Sequence, residues 1–281
     1  MTGTLLSIGH GYSAQALARL LVPQGWRIIG TTRSRDKLAA LAATGVEARL
    51  WPGEDLPLAA VTHILTSVSP GDTGDPILER HGDALQNARH LSWVGYLSTT
   101  GVYGDRNGGW VDETDALLPA TRRGRARGAA VAAWQKLDLP LHIFRLAGIY
   151  GPGRGPFAKV RNGTARRIIK DGQVFSRCHV DDIAQVLAAS IARPNPGAIY
   201  NICDDDPAPP EDVIAFAAIL LGLAIPEAVA FEDAEMSDMA RSFYAESKRV
   251  RNDRIKDELG VELIYPSYRD GLDALLQDEG A

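Results

Sequence analysis

The sequence predicts an α/β chain: a doubly wound parallel sheet with a small C-terminal domain covering it. Three features carry that prediction. Apolar runs of strand length alternate with amphipathic runs of helix length through the first half of the 281 residues, the pattern of a parallel sheet with helices on both faces. The first apolar run, Leu5-Leu6-Ser7-Ile8, enters a glycine turn that opens a helix. After Tyr150 the alternation breaks at Gly151-Pro152-Gly153-Arg154-Gly155-Pro156, where glycine and proline punctuate the chain.

Taken in order, the strands are Thr4–Ile8, Arg27–Thr31, Glu47–Trp51, His63–Ser67, Trp93–Ser98 and Leu141–Leu146. Helices between them are anchored at Ala14–Leu21, Lys37–Ala43, Ala84–His90 and Ala126–Leu137. A loop rich in Gly, Pro and Asp, Ser69 to Pro76, follows the fourth strand. In a doubly wound sheet such a loop lies at the carboxyl edge, where ligands bind. Beyond the break come a basic segment from Lys159 to Lys170, a helix from Asp181 to Ile191, a strand at Ala198–Ile202 and a helix from Glu211 to Leu223. The domains are read as 1–150 and 151–281, with 178–203 returning to the first.

The turn Gly9-His10-Gly11-Tyr12-Ser13-Ala14 is a G-x-G-x-x-A pattern between an apolar run and an amphipathic helix. In the Rossmann arrangement Gly9 permits the tight turn, Gly11 lets the backbone approach a pyrophosphate, and Ala14 packs helix on strand. The helix N-terminus offers free N–H groups and a positive dipole end to that anion. Tyr12 and Ser13 lie at that terminus, and Ser67 and Val68, where the fourth strand meets its loop, complete this edge. An ordinary glycine-rich turn is the plain alternative. Sites that prefer NAD place an acid about 20 positions beyond the glycines. Here Thr32, Arg33 and Ser34 stand there, with no acid until Asp36. A guanidinium suits a phosphate, so NADP is expected over NAD, unless the loop is merely solvated.

Composition narrows the partners. Hydrophobic content of 45% and charged content of 23% describe an ordinary globular chain. A net charge of −5 and a pI near 5.7 argue against nucleic acid and anionic membrane. Cys178 and Cys203 form neither a disulfide scaffold nor a CxxC site, which suits a reducing, cytoplasmic setting. No run of about 18 apolar residues is present to span a membrane. The first strand begins too early to leave space for a signal peptide. No metal-ligand cluster or paired-carboxylate site stands out. The expected partner is a small-molecule substrate, and a homodimer is compatible with all of this.

Four ordered motifs, spread over nearly the whole chain, resemble the atypical and extended branches of the short-chain dehydrogenase/reductase superfamily, the NAD-dependent epimerase/dehydratase-like group. They are the glycine turn, Ser98-Thr99-Thr100-Gly101-Val102-Tyr103-Gly104, Leu146-Ala147-Gly148-Ile149-Tyr150-Gly151-Pro152-Gly153, and Phe175-Ser176-Arg177-Cys178-His179-Val180-Asp181-Asp182 with Ile199-Tyr200-Asn201-Ile202. The resemblance implies a Rossmann domain holding the cofactor and a smaller domain covering a substrate, with nucleotide sugars as the group's model. It places Thr99, with Ser98 beside it, at the position that polarises the substrate oxygen. The group's YxxxK pair falls on Arg123 and Arg127. Arginine stays protonated at any working pH and cannot serve as that acid or base. At i and i+4 the two share a helix face, either a solvated face or an anion-binding one for a substrate. Tyr103 and Tyr150 are then the remaining tyrosines of the motifs, as proton donors or as packing residues. His179 reads as structural, and Asp181 and Asp182 as caps of the helix that follows. Two functions stay open: an oxidoreductase or epimerase-like enzyme acting on a small anionic or nucleotide-sugar-like substrate, or a non-catalytic NADP-binding redox sensor.

Overall fold

The computed structural model describes residues 2–280. Its first half runs β1 (Thr4–Ile8), α1 (Tyr12–Leu21), β2 (Arg27–Thr32), α2 (Leu38–Ala42), β3 (Glu47–Leu50), β4 (His63–Thr66) and α3 (Pro76–Gln86). Then come β5 (Trp93–Thr99), β6 (Trp110–Val111), α4 (Arg122–Trp134), β7 (Leu141–Leu146) and β8 (Gly148–Tyr150). The remainder comprises α5 (Phe157–Arg161), β9 (Arg167–Ile169), β10 (Arg177–His179), α6 (Val180–Ala192), β11 (Ile199–Ile202) and α7 (Pro210–Leu220). It ends with β12 (Ala228–Ala230), α8 (Asp238–Phe243), β13 (Arg249–Val250), α9 (Asp253–Leu259) and α10 (Tyr268–Gly280).

Seven strands form one sheet in the order β11-β7-β5-β4-β1-β2-β3, every pairing parallel. The order reverses between β1 and β4, which is where doubly wound sheets bind their ligands. Side chains alternate across the sheet and divide the core. Leu5, Ile28, Leu65, Trp93, Leu97 and Phe144 face one layer with α1 and α6. Leu6, Ile29, Ile64, Val94, Tyr96 and Ile143 face the other, with α3 and the Ala130, Val131 and Trp134 stripe of α4. Both faces are apolar, as a sheet covered twice requires.

The helix α6 lies against α1, and β11 adds to the sheet beside β7. A separate apolar cluster gathers Tyr150, Phe157, Val160, Val213, Ala217, Tyr268, Leu272 and Leu275 from β8, α5, α7 and α10. Three short parallel ladders lie outside the main sheet: β8 with β10, β9 with β12, and β6 with β13.

Two local expectations are corrected. The helix expected at Ala84–His90 begins at Pro76, because Asp75 caps it by accepting from the N–H of Ile77 at 2.9 Å and of Leu78 at 3.4 Å. Asp181 and Asp182 do not cap α6. His179 does, its Nδ1 accepting from the Asp181 N–H at 3.2 Å. The buried Asp182 carboxylate instead accepts from the N–H groups of Ile264 (2.7 Å) and Tyr265 (3.2 Å), fastening the C-terminal segment to α6. Among the described residues no helix is long and apolar enough to cross a membrane, and no three His, Cys, Asp or Glu residues are grouped to hold a metal ion.

Candidate dinucleotide and substrate cleft

A cleft of about 1250 Å³ opens at the carboxyl edge of the sheet, over the β1/β4 switch point. One wall is the glycine turn. Gly9 sits at φ +76, and a Cβ there would stand 3.0 Å from Cγ2 of Val68. The turn is tied down from both neighbouring strands: Gly9 N–H donates to Thr31 Oγ1 at 2.8 Å, and Ser67 Oγ donates to Gly9 O at 2.5 Å. Gly11 has extended backbone and lines the cleft, with no atom closer than Gly9 O at 3.7 Å to a Cβ placed on it. The chain therefore has room for a side chain at Gly11, and what the bare backbone leaves open is the approach to the start of α1. Ala14 is buried in the layer between α1 and the sheet. This cradle fits a pyrophosphate: a helix start with unsatisfied N–H groups and no Cβ in front of it.

Tyr12 and Ser13 also line the cleft. The Tyr12 hydroxyl donates to Pro152 O at 3.0 Å, and the Arg154 guanidinium lies 5.6 Å from its ring centroid. The Gly151–Arg154 turn is thus pinned over the glycine turn and brings an exposed cation to the same opening. Nothing in the order of motifs linked Arg154 to this edge, because the contact bridges residues about 140 apart in the chain. The remaining expected cofactor residues lie elsewhere. Val68 packs behind Gly9, and Thr32, Arg33 and Ser34 fall outside the cleft wall at the end of β2. Arg33 is exposed there, and Thr32 Oγ1 accepts from the Ser34 N–H at 3.2 Å.

Ser98 and Thr99, at the end of β5, line the same cleft. Thr99 Oγ1 accepts from the Gly101 N–H at 3.1 Å and caps the short turn that follows. That leaves its own O–H to donate into the cleft. Ser98 Oγ is buried without a partner.

Tyr103 does not reach the cleft. It is fully buried in a cluster with Val102, Val111, Ala147, Cys203 and Val250. Its hydroxyl donates to Asn201 Oδ1 and accepts from Arg145, each at 2.7 Å. Burial raises its pKa, so both position and chemistry make it a packing residue. Tyr150 touches the cleft, but its ring packs against Gly271 of α10, and its hydroxyl donates to Ser267 O at 3.4 Å. Burial raises that pKa too.

The two arginines at the YxxxK positions both line the cleft and part company in role. Arg127 is anchored: its Nη1 donates to Val68 O (3.1 Å), Leu97 O (3.1 Å) and the Tyr96 hydroxyl (3.2 Å). It joins the β4 loop to β5, with Nη2 also donating to Ser69 Oγ at 3.4 Å. Arg123 is exposed, with no hydrogen bond or ion pair among the described residues. Arg122 pairs with Asp72 and ties α4 to the Ser69–Pro76 loop.

The far end of the cleft, unforeseen from the sequence, is built by Phe175, Ser176, Arg177, Phe243, Glu246, Lys248 and Val250. Lys248 Nζ and Glu246 Oε2 are 2.7 Å apart, with each side chain only 10% exposed. Arg177 donates to Phe175 O and Ala208 O. Behind it Asp204 is buried with both carboxylate oxygens unpartnered, and burial pushes its pKa up to about 8.

No family model matches the chain. Over its full length it is 62% identical to a conserved protein of unknown function from Silicibacter pomeroyi DSS, with TM-score 0.96 and all of both chains covered. A structure from Methylobacillus flagellatus, described as a candidate NAD-dependent epimerase/dehydratase, is 26% identical with TM-score 0.76, again over all of both chains. In fold the chain is similar to structures described as NAD-dependent epimerases and dehydratases, in keeping with the resemblance to the extended short-chain dehydrogenase/reductase branch. Protein YeeZ of Escherichia coli K12 is 29% identical over 92% of this chain and 95% of its own length.

Proposed function

We propose that the chain is an oxidoreductase or epimerase-like enzyme that binds a nicotinamide dinucleotide and acts on a small molecule in the same cleft. One observation carries the reading. The glycine turn with the start of α1, and Ser98 with Thr99, line a single cleft at the sheet's switch point. Gly9, Gly11, Tyr12 and Ser13 would hold the pyrophosphate, aided by Arg154. Bound there, the dinucleotide would supply hydride chemistry at its nicotinamide ring. Thr99 donates its hydroxyl to a substrate oxygen, and Arg123 offers a guanidinium to an anionic group. Arg127 holds the β4 loop and β5 in register beneath them.

NADP over NAD is the finer part of the proposal. It is supported by Arg33, exposed at the end of β2, and by the absence of an acid before Asp36. The description of the Methylobacillus neighbour as NAD-dependent favours the other dinucleotide. Titrating both dinucleotides, then following NADPH and NADH oxidation against carboxylate- and phosphate-bearing carbonyl compounds, tests the whole reading. Saturable dinucleotide binding with turnover of at least one compound is expected. Absence of dinucleotide binding would overturn it.

A redox sensor without turnover is the second reading. It is favoured by arginines where a tyrosine and lysine would relay protons, and by the burial of Tyr103. Tight dinucleotide binding with no turnover across the panel would select it.

A further inference from the structure

The ion pair at the far end of the cleft is built with unusual care. Ser247, between its two members, is held from four sides. Its N–H donates to Asp105 Oδ1 at 2.7 Å and its Oγ donates to Gly172 O at 2.8 Å. The same Oγ accepts from the Val174 N–H at 3.1 Å, and its carbonyl accepts from the N–H groups of Arg106 and Gly108, each at 3.0 Å. Gln173 Nε2 donates to Glu246 O at 2.7 Å. These bonds fix residues 246–248 as a rigid shelf that presents both side chains to the cleft.

The pair does not satisfy itself. An ammonium has three donors, and Lys248 has Glu246 Oε2 as its one hydrogen-bond partner among the described residues, with the Asp105 carboxylate near enough to feel its charge. Glu246 Oε1 is buried with no donor at all. Buried donors and acceptors left unmade are costly, and the neighbouring Phe175, Phe243 and Val250 side chains cannot supply them. An oxyanion supplies acceptors for the spare Lys248 donors, while Glu246 Oε1, an acceptor, is met only by an O–H or N–H of the same ligand.

We propose that Lys248 binds an oxyanion of the substrate, a carboxylate or a phosphate, at the end of the cleft away from the glycine turn, and that Glu246 is its positioning residue. This rests on the cleft being a substrate site, as proposed above. Lys248 is a compact cation with two donors to spare, and Glu246 sets its direction while offsetting its charge. Removing each member then has opposite effects. Without Lys248 the anion loses its cation. Without the Glu246 charge the anion loses a neighbouring like charge and binds more tightly.

The test uses isothermal titration of the full chain with 2-oxoglutarate and, separately, inorganic phosphate, each with and without NAD and NADP. One or both anions are expected to bind saturably, at least tenfold more weakly to Lys248→Met and more tightly to Glu246→Gln. Which anion responds distinguishes the carboxylate from the phosphate source. A purely structural ion pair would lower stability in both variants and leave anion affinity unchanged, and that result overturns the proposal. So does the absence of saturable binding of either anion to the unaltered chain. Dinucleotide titration on the same samples separates this failure from failure of the wider reading. If Lys248→Met does not fold, the near-isosteric Glu246→Gln decides alone: tighter anion binding supports the assignment, and unchanged affinity refutes it.

Discussion

Replacing Gly11 by valine puts a branched side chain in front of the start of α1 while disturbing little else. The backbone there has φ −94 and ψ −159, an extended conformation that a β-branched residue adopts readily. The nearest atom to the new Cβ is Gly9 O at 3.7 Å, ordinary van der Waals contact. The cost to folding should therefore stay within about 0.5 kcal/mol. Binding is another matter, because a pyrophosphate must come within hydrogen-bond distance of the N–H groups behind that side chain. Hydrogen bonds to a charged group contribute about 1.5–3 kcal/mol each, so denying two of them costs about 3 kcal/mol or more, roughly a hundredfold in Kd. At a dinucleotide concentration about 1,000 times the original Kd, ligand-induced stabilisation falls from about 4.1 kcal/mol to about 1.4 kcal/mol. Thermal or urea unfolding with and without dinucleotide measures that difference. Gly9→Ala is the contrast. At φ +76, with Val68 Cγ2 3.0 Å away, an added Cβ is strained and crowded, and the free protein itself should lose about 1–2 kcal/mol. An undiminished dinucleotide-induced shift in folded Gly11→Val would refute the placement of the pyrophosphate at this turn.

Arg33→Ala should shrink any preference for NADP by about 1.5–3 kcal/mol; paired titrations with NAD and NADP measure it, and equal curves for the unaltered protein would remove its basis. Arg127→Lys keeps the charge but cannot reach both carbonyls and the Tyr96 hydroxyl together, so stability in urea should fall by about 1–3 kcal/mol, and an unchanged midpoint would contradict the anchoring role. His10 is buried with neither ring nitrogen bonded, and burial pulls its pKa down to about 4. As pH falls from about 6.5 the unfolded chain takes up this proton first, so the group costs stability progressively down to about pH 4, at most about 1.4 kcal/mol per unit. Urea midpoints at pH 7 and pH 5 should separate, and His10→Leu should narrow the gap. Asp204 works at the other end. With its pKa raised to about 8 by burial, its stabilising contribution is complete below about pH 4 and drains away as pH rises through 8, so Asp204→Asn should gain stability relative to the original at pH 8 more than at pH 5.

What could be read from the chain was whatever local rules impose. Strand β1 lies where the apolar run before the glycine turn placed it, and β7 likewise, because a strand covered on both faces is predominantly apolar, here with His142 and Arg145 as buried exceptions in β7. The same logic fails for β6 and β13, two residues each, and for β8, β9 and β10, three each. Pieces that short carry no readable period, and their pairing depends on where the long elements bring them. The start of α3 was missed for a different reason: Asp75-Pro76 is a cap followed by a first-turn proline, a signal hidden inside a loop that looked uniformly polar and glycine-rich.

The cleft shows the same division between local and non-local. Gly9, Gly11, Ser98 and Thr99 sit in motifs whose spacing fixes their place at strand ends, and the structure brings them into one cleft. Arg123 and Arg127 were legible as a helical pair, yet nothing within the helix says which is spent. That is decided by Val68 O and Leu97 O, two backbone acceptors on other elements. Glu246 and Lys248 were invisible for the strongest version of this reason. In sequence they are an ordinary Glu-Ser-Lys among many charges, on a segment without periodicity. They become a buried pair only because two distant segments, one carrying Asp105 and the other Gly172 and Val174, converge on Ser247 between them. A site residue is readable in a sequence when the element carrying it also aims it, and the Glu246–Lys248 end of this cleft is aimed entirely by contacts across the fold.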